Sequence, residues 1–359
     1  MSFFDSITNA FGSKAIEKVL GVDIGSSSIK VVQLSLKKGV AVLDTFGEIS
    51  LSVYGGKEIG KPVNLDEEKT AEALKDLMKE AQVDANIAAF AIPLKSTLMF
   101  NLKLPKTIEK DKLDSIVRVE ARKYIPVPIS EVQLDWSVLP PVNRKQEETE
   151  YEILVVAIHK ETLNKYANIA SITALDLKFL EVETFSTIRS VIKHERNTTA
   201  IVDIGSAITK FYIVESGIVR KSNIINIGSS KMLTSFRGGE NAANPNGEVN
   251  GSAAKLLRET MIDGKNIPID LTRIINQVKK AVVEYQKDTN RNVSDMVFTG
   301  GGSLFKDIMP YVRDQMSMNV FEADPFSKVS NPAFLDAPLK EAGPEFSVAV
   351  GVALRGLRS

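Results

Sequence analysis

The pattern of apolar and polar positions along this chain predicts the same structural unit twice. In the first half, two apolar runs within 15–36 and a third over 40–49 are rich in β-branched residues and predict three consecutive strands. In the second half, strands are predicted near 199–204, 208–215 and 218–227, in the same order. We therefore expect two lobes, each of which begins with a three-stranded meander.

Amphipathic helices are predicted after each meander. The first begins at the acidic stretch 66–68, and its apolar residues share one face: Leu74, Leu77, Met78 and Ala81. The second covers 271–285, and a strand follows each helix, at 86–92 and 296–299. The stretch 229–268 before the second helix is polar and glycine-rich.

The first half carries additional material that the second half lacks in the same place. Within 95–180, the pattern predicts further strands and helices of its own, so we interpret this range as an inserted subdomain. Its expected strands are 98–104, 132–139 and 151–158, its expected helices are 109–124 and 161–173, and 143–150 is an expected exposed loop.

Chain length agrees with two lobes, because 359 residues are more than one compact core usually holds. We expect the first lobe at 15–197, including the insertion, and the second at 198–359. The second lobe is expected to contain an insertion at 229–290. A C-terminal helix at 345–357 is expected to pack back toward the first lobe.

Residues 1–14 form a separate amphipathic segment in this division. Their spacing places four apolar side chains on one face of a short helix: Phe3, Ile7, Ala10 and Phe11. Such a face either packs on its own lobe or docks on a membrane surface or a partner.

Composition narrows the classes of function. The 45 basic residues balance 45 acidic residues, so no net charge attracts nucleic acid, and we exclude nucleic-acid binding as a main role. The chain contains 0 cysteines, which excludes disulfides and thiolate metal sites and fits a cytosolic protein. Because the sequence shows no secretory signal and no apolar stretch of about 18 residues, we expect a cytoplasmic location.

A short Val-Asp-Ile-Gly-Ser loop occurs at the first turn of both predicted meanders. Its glycine and hydroxyl residues are Gly25, Ser26, Ser27 and Ser28 in the first copy and Gly205 and Ser206 in the second. Successive backbone amides and hydroxyls can cradle a phosphate, and Asp23 and Asp203 can hold Mg²⁺ through water. One such loop alone is equally an ordinary turn, but the pair favours a phosphate site between two lobes.

A third glycine-rich turn lies between a predicted strand and a predicted helix, and consists of Gly300, Gly301, Gly302 and Ser303. Consecutive glycines let the backbone pass against a flat ligand such as adenosine, and the helix N-terminus favours an anion. The alternative is a flexible joint.

Lys30 lies on the strand after the first loop, where its ammonium either reaches a phosphate or is solvated.

Other nucleotide and hydrolase signatures are absent from the sequence. No G-x-x-x-x-G-K-[S/T] occurs, and no G-x-G-x-x-G follows the first strand, which argues against P-loop and Rossmann sites. No G-x-S-x-G elbow occurs either.

Together, the two loops and the glycine-rich turn resemble the two phosphate motifs and the adenosine motif of the actin, Hsp70 and sugar-kinase ATPase superfamily. Four segments, 21–30, 120–126, 134–136 and 351–355, resemble more narrowly the PilM family of type IV pilus assembly proteins. That family is similar to the cell-division protein FtsA. The resemblance implies an α/β, two-lobed actin-like fold of the ribonuclease H-like type, with 95–180 as an FtsA-like insertion.

The resemblance also assigns roles to residues. It gives the first phosphate motif Asp23, Gly25, Ser26, Ser27, Ser28 and Lys30, the second Asp203, Gly205 and Ser206, and the adenosine motif Gly300, Gly301, Gly302 and Ser303. Glu183, before the connecting helix, is the candidate for the water-orienting glutamate of relatives that hydrolyse ATP; its alternative is a helix-initiating carboxylate. Gln277 and Lys280 on the long helix are expected neighbours of the adenosine.

The function implied by the resemblance is an ATP- and Mg²⁺-binding scaffold of the type IV pilus machine, or of a related type II secretion machine. Its expected partner is the N-terminal cytoplasmic tail of a PilN-like inner-membrane protein, which places it at the cytoplasmic face of that membrane. Pilus motor components and self-association are further expectations. The tail is expected to bind the insertion in a nucleotide-dependent way, as an added strand or beside the 109–124 helix.

Two other functions remain open at this point. An actin-like filament former of the FtsA or MreB type uses the same nucleotide motifs, and so does a small-molecule kinase of the sugar-kinase type. The kinase needs a catalytic carboxylate beside an acceptor pocket, for which we find no signature. The resemblance to the pilus assembly family itself implies at most weak ATPase activity.

Overall fold

Two five-stranded sheets and one three-stranded sheet organise the computed structural model, which describes residues 16–140, 149–193, 197–236, 253–260, 262 and 267–357. The strands are β1 (Lys18–Ile24), β2 (Ser28–Lys37), β3 (Val40–Ser50), β4 (Ile87–Ile92), β5 (Thr97–Pro105), β6 (Val132–Val138), β7 (Glu150–His159), β8 (Asp176–Val182), β9 (Thr198–Ile204), β10 (Thr209–Glu215), β11 (Ile218–Ile225), β12 (Asp295–Thr299) and β13 (Asn319–Glu322). The helices are α1 (Ser52–Gly55), α2 (Glu67–Glu80), α3 (Leu113–Ala121), α4 (Lys160–Ile172), α5 (Glu183–Val191), α6 (Ser229–Phe236), α7 (Ala253–Glu259), α8 (Ile269–Thr289), α9 (Ile308–Gln315), α10 (Asp336–Ala342) and α11 (Ser347–Leu357).

The two large sheets have the same topology. The first has the order β3-β2-β1-β4-β8, and the second repeats it as β11-β10-β9-β12-β13. In each sheet an antiparallel meander is extended by two parallel strands. Both predicted meanders are therefore confirmed. The predicted segment 1–14 and most of the predicted loop 143–150 lie outside the described residues.

Helices cover both faces of the first sheet. Leu74 of α2 and Ile169 of α4 pack on one face with Phe90 of β4. On the other face, α11 packs against β1, β2 and β4 through Val350 and Ala353. No helix among the described residues is long and apolar enough to cross a membrane.

The second sheet is covered by α8 and α9 on one face and by α5 on the other. Ile274 and Val278 of α8 belong to the first of these two apolar layers. Ile188 and Val191 of α5 belong to the second, together with Tyr212 of β10. Since α5 follows the last strand of the first sheet and also contacts α11, it lies between the two lobes.

The small sheet is shorter than the insertion that the sequence predicts. It has the order β5-β7-β6, carries α3 on one face and ends at His159. The following helix α4 packs with α2, and β8 pairs with β4, so 160–182 belong to the first lobe. The range 95–180 was therefore too long at its end, because the pattern does not show which sheet a strand joins.

The polar stretch 229–268 contains two helices that were not predicted, α6 and α7. They were missed because each helix is short and offers few buried apolar residues to set a period. In α6, Met232 and Leu233 are buried while Lys231 and Thr234 are exposed.

The crossing of α11 over α5 leaves no space for a side chain at Gly351. A Cβ there would overlap the backbone carbonyl oxygen of Ser186. Backbone atoms cannot rotate away as a side chain does, so a methyl group would force the two helices apart.

We expect Gly351→Ala to lower the free energy of unfolding by about 3 kcal/mol or more, as measured by urea unfolding. Gly356→Ala is the control, because a Cβ there would lie 2.6 Å from the Val19 side chain, which can move. The control should lose about 1 kcal/mol. Equal unfolding midpoints for the two variants would contradict this view of the crossing.

Candidate functional site

A cleft of about 720 Å³ lies between the two lobes, and both copies of the repeated loop line it. The first lobe contributes Asp23, Gly25, Ser26, Ser27, Ser28 and Lys30, and the second contributes Asp203, Gly205, Ser206 and Lys210. Gly300 and Gly301 of the glycine-rich turn also line it. The fold thus brings three sequence motifs that are far apart in the chain to one cavity.

The two copies of the loop form the same turn. The Gly25 N–H donates to the Ser28 carbonyl at 3.0 Å, and the Gly205 N–H donates to the Ile208 carbonyl at 2.9 Å. A Cβ would lie 2.9 Å from the acceptor oxygen at Gly25 and 3.0 Å at Gly205, which is why both turns use glycine.

These turns leave backbone amides without a partner beside the cleft. Within the described part of the chain, the N–H groups of Ser26, Ser27, Ser206 and Ala207 donate no hydrogen bond to another group of the protein. All four residues line the cavity. Clustered free N–H groups form a site for an anion such as a phosphate.

The glycine-rich turn meets the second copy of the loop. Gly300 has a positive φ of 82°, and a Cβ there would overlap a carboxylate oxygen of Asp203. Gly302 and Ser303 do not line the cleft, contrary to expectation. A Cβ at Gly302 would overlap the Ile204 side chain, and the Ser303 hydroxyl donates to the Gly300 carbonyl at 2.7 Å, so both residues shape the turn instead.

Lys210 holds two carboxylates at the base of the cleft. Its Nζ lies 2.7 Å from Asp203 Oδ2 and 2.7 Å from Glu183 Oε2, and all three side chains are buried. These two carboxylates hold the pKa of Lys210 well above its usual range, although burial opposes them.

Glu183, the candidate for orienting a water molecule, uses both carboxylate oxygens within the protein. Besides the bond to Lys210, its Oε1 accepts a hydrogen bond from the Leu94 N–H at 2.6 Å. A carboxylate has about four acceptor positions, so these two bonds fix the orientation of Glu183 and leave other acceptor positions unused.

Lys30 is neither solvated nor free. Its Nζ donates to Glu48 Oε1 at 2.9 Å and to Ser28 Oγ at 2.7 Å, and it lies 3.9 Å from Glu345 Oε2. Burial raises the pKa of Glu345 to about 7, although Lys30 lowers it. The strand register places Lys30 opposite Asp23, as it places Lys210 opposite Asp203, yet Lys30 pairs elsewhere.

The Asp23 carboxylate has no hydrogen bond or ion pair with another side chain in the described ranges. Burial, followed by the charge of Glu183, raises the pKa of Asp23 to about 6. The equivalent aspartates of the two loop copies thus differ in charge balance, because Lys210 neutralises Asp203 and no lysine pairs with Asp23 in the described ranges.

The structure does not bring Gln277 and Lys280 to the cleft. Both lie on the exposed side of α8, and Lys280 is 3.9 Å from Glu284 of the same helix. Their expected role as adenosine neighbours is therefore wrong, because the buried face of α8 is turned to the second sheet through Ile274 and Val278.

Several cleft residues had not been identified from the sequence. Glu48, Lys57, Lys95, Lys165 and Glu345 all line the cavity. They come from separate elements, and no local motif marks them. The loop after α1 also spans the cleft, where the Ser206 hydroxyl donates to the Gly60 carbonyl at 2.7 Å.

Comparisons with known proteins agree with this arrangement. The family described as type IV pilus assembly protein PilM has a sequence model that matches residues 21–357. A solved structure of a PilM-PilN type IV pilus biogenesis complex is 21% identical, with a TM-score of 0.78 over 96% of this chain and 99% of that chain. The ethanolamine utilization protein EutJ from Carboxydothermus hydrogenoformans is 13% identical, with a TM-score of 0.52 over 96% of this chain and 91% of that one. The predicted two-lobed actin-like fold is confirmed.

The two aspartates should respond oppositely to neutralisation. The pKa of Asp23 is about 6 in the fold against an ordinary 3.8, so its ionisation weakens the fold progressively as pH rises between these values. We expect Asp23→Asn to raise the free energy of unfolding of the ligand-free protein by about 1–3 kcal/mol near pH 8, and to have no such effect near pH 3.

Asp203→Asn is the matched variant at the equivalent position. It removes one of the two carboxylates that hold the buried Lys210 ammonium, and we expect it to lower the free energy of unfolding near pH 8. Urea unfolding at both pH values measures both effects. Loss of stability in both variants near pH 8 would show that Asp23 has a partner after all.

Proposed function

This chain belongs to the type IV pilus assembly protein PilM family, and from that membership we propose that it is an ATP-binding scaffold of the pilus assembly machine. In this proposal, MgATP binds between the lobes, and the N-terminal cytoplasmic tail of a PilN-like inner-membrane protein docks on the small subdomain. The tail holds the scaffold at the cytoplasmic face of that membrane. The observation that carries the proposal is the convergence of unused backbone amides from both lobes on one cleft.

The chemistry of the cleft supports a nucleotide. Its volume of about 720 Å³ lies within the range of about 300–1,000 Å³ typical of small-molecule sites. Three lysines, Lys57, Lys95 and Lys165, line it in addition to the two paired lysines, which favours polyphosphate. Apolar side chains for a base are also present on its walls, among them Leu233 and Leu257.

The acidic side chains of the cleft fit Mg²⁺ held through water. No cluster of three or more acidic, histidine or cysteine side chains suited to a metal occurs in the part of the chain that the structure describes, so a cage of protein ligands is not supported. Mg²⁺ usually keeps several waters and binds one or two carboxylates together with phosphates. Asp23, which has no side-chain partner in the described ranges and is half-buried, and Asp203 of the second loop would be these two carboxylates.

The small subdomain offers an edge for an added strand. The order β5-β7-β6 leaves one side of β5 unpaired within the described sheet. On β5 itself, Phe100 stacks on Tyr124 with ring centroids 4.8 Å apart, and Tyr124 is 54% exposed. Val119 of α3 is 56% exposed. A free strand edge with neighbouring apolar side chains suits an extended peptide.

The proposal predicts that a synthetic peptide with the sequence of the PilN-like N-terminal tail binds more tightly when MgATP is present. We expect the dissociation constant to fall by about tenfold or more, equivalent to about 1.4 kcal/mol of coupling between the two ligands. Fluorescence anisotropy of a labelled peptide, with and without saturating MgATP, measures it.

Two variants test the site within the same titration. Asp203→Ala should remove most of the MgATP effect, because it removes a cleft carboxylate and unbalances Lys210. Lys280→Ala, on the exposed side of α8, should retain the effect. Peptide binding that is indifferent to MgATP in the native chain would overturn nucleotide dependence, and absence of peptide binding would overturn the scaffold role.

A further inference from the structure

A continuous chain of buried polar contacts runs from the second lobe to the entrance of the small subdomain. Asp203 Oδ2 contacts Lys210 Nζ at 2.7 Å, and Lys210 Nζ contacts Glu183 Oε2 at 2.7 Å. Glu183 Oε1 then accepts the Leu94 N–H at 2.6 Å. Because these groups are buried, their contacts are little screened by water.

Leu94 occupies a special place in the fold. The chain passes between the first lobe and the small sheet twice, at 93–96 before β5 and at the junction of β7 with α4. Leu94 opens a short 3₁₀ turn, Leu94–Ser96, that leads directly into β5. At this crossing its N–H is held by a side chain, so the path of the entering chain depends on where Glu183 lies.

The link is placed to respond to a ligand. Lys210 divides one ammonium between carboxylates on different lobes, and Asp203, Lys210 and Glu183 all line the cleft together with Pro93 and Lys95. A divalent cation held by Asp203 would compete with the Lys210 ammonium for that carboxylate, and the ammonium would then bind mainly Glu183.

We propose that Glu183 is a positioning residue that couples occupancy of the cleft to the orientation of the small subdomain through Leu94. This inference deepens the proposed function and rests on it for the identity of the ligand, MgATP. It also assigns Glu183 a different role from that of orienting an attacking water. With a cation held by Asp203, Lys210 would pair mainly with Glu183, which would fix the Glu183 side chain and make its hydrogen bond to the Leu94 N–H more persistent.

A nearby carboxylate provides a matched control. Glu181, two residues before Glu183, is also buried and paired, with Arg189 at 2.6 Å and the Ser186 hydroxyl at 2.6 Å. It does not line the cleft. Glu181→Gln therefore removes a buried charge from the same strand-to-helix junction without touching the proposed link.

Hydrogen exchange of the backbone amides over 93–105, with and without MgATP, tests the proposal on the full chain. In the native protein we expect MgATP to slow exchange there by about threefold or more. Glu183→Gln keeps an acceptor for the Leu94 N–H but turns an amide NH₂ toward Lys210, so exchange without ligand should stay near native while the MgATP effect disappears. Glu183→Ala should exchange faster in both conditions, and Glu181→Gln should keep the native response.

A merely structural role predicts a different result, in which Glu183→Gln retains the native MgATP response; that result would overturn the inference. Titration of a fluorescent ATP analogue with each variant separates this failure from failure of the proposed function. If the analogue binds the native chain and 93–105 does not respond, the inference alone is wrong. If the analogue does not bind the native chain, the proposed function is wrong, and the inference falls with it.

Discussion

The close contact of α5 with α11 sets the distance between the lobes, and the geometry of the cleft depends on it. Gly351 lets the backbone of α11 approach Ser186 of α5, while α11 itself packs on the first sheet. The segment before α11 is anchored on the second lobe, because the Pro344 carbonyl accepts both the Gly300 N–H at 2.9 Å and the Thr299 hydroxyl at 2.8 Å. One helix therefore ties the glycine-rich turn of one lobe to the core of the other.

Within this frame, the duplicated loop produces two unequal sites. Each copy places a lysine opposite an aspartate in the strand register, and each closes its turn with the same backbone hydrogen bond. The difference arises from neighbours outside the repeat: Glu183 joins the second pair, whereas Glu48 and Glu345 draw Lys30 away from the first aspartate. Asp23 is left as a charge that the ligand-free fold does not neutralise, as is common where binding, rather than stability, determines a residue.

The sequence predicted what depends on local pattern. The meanders, the helix over 67–80 and the repeated loops follow from residues close together in the chain. The end of the small subdomain and the two helices within 229–268 do not follow from local pattern, because short segments take their structure from the surface they pack on. The misplacement of Gln277 and Lys280 was avoidable, because the spacing of Ile274, Val278 and Val282 already turns both residues away from the buried face. The partners of Glu183 come from distant segments, and no spacing rule shows them.

The two contacts of the Glu183 carboxylate determine its position beside a ligand in the cleft. At the start of the connecting helix, one Glu183 oxygen holds the Lys210 ammonium and the other holds the Leu94 N–H. A carboxylate has about four acceptor positions, so these two bonds fix where the side chain lies and leave other positions unused. Breaking either buried contact would cost about 1–3 kcal/mol. A ligand in the cleft therefore meets a Glu183 carboxylate whose position is set by one group from each lobe.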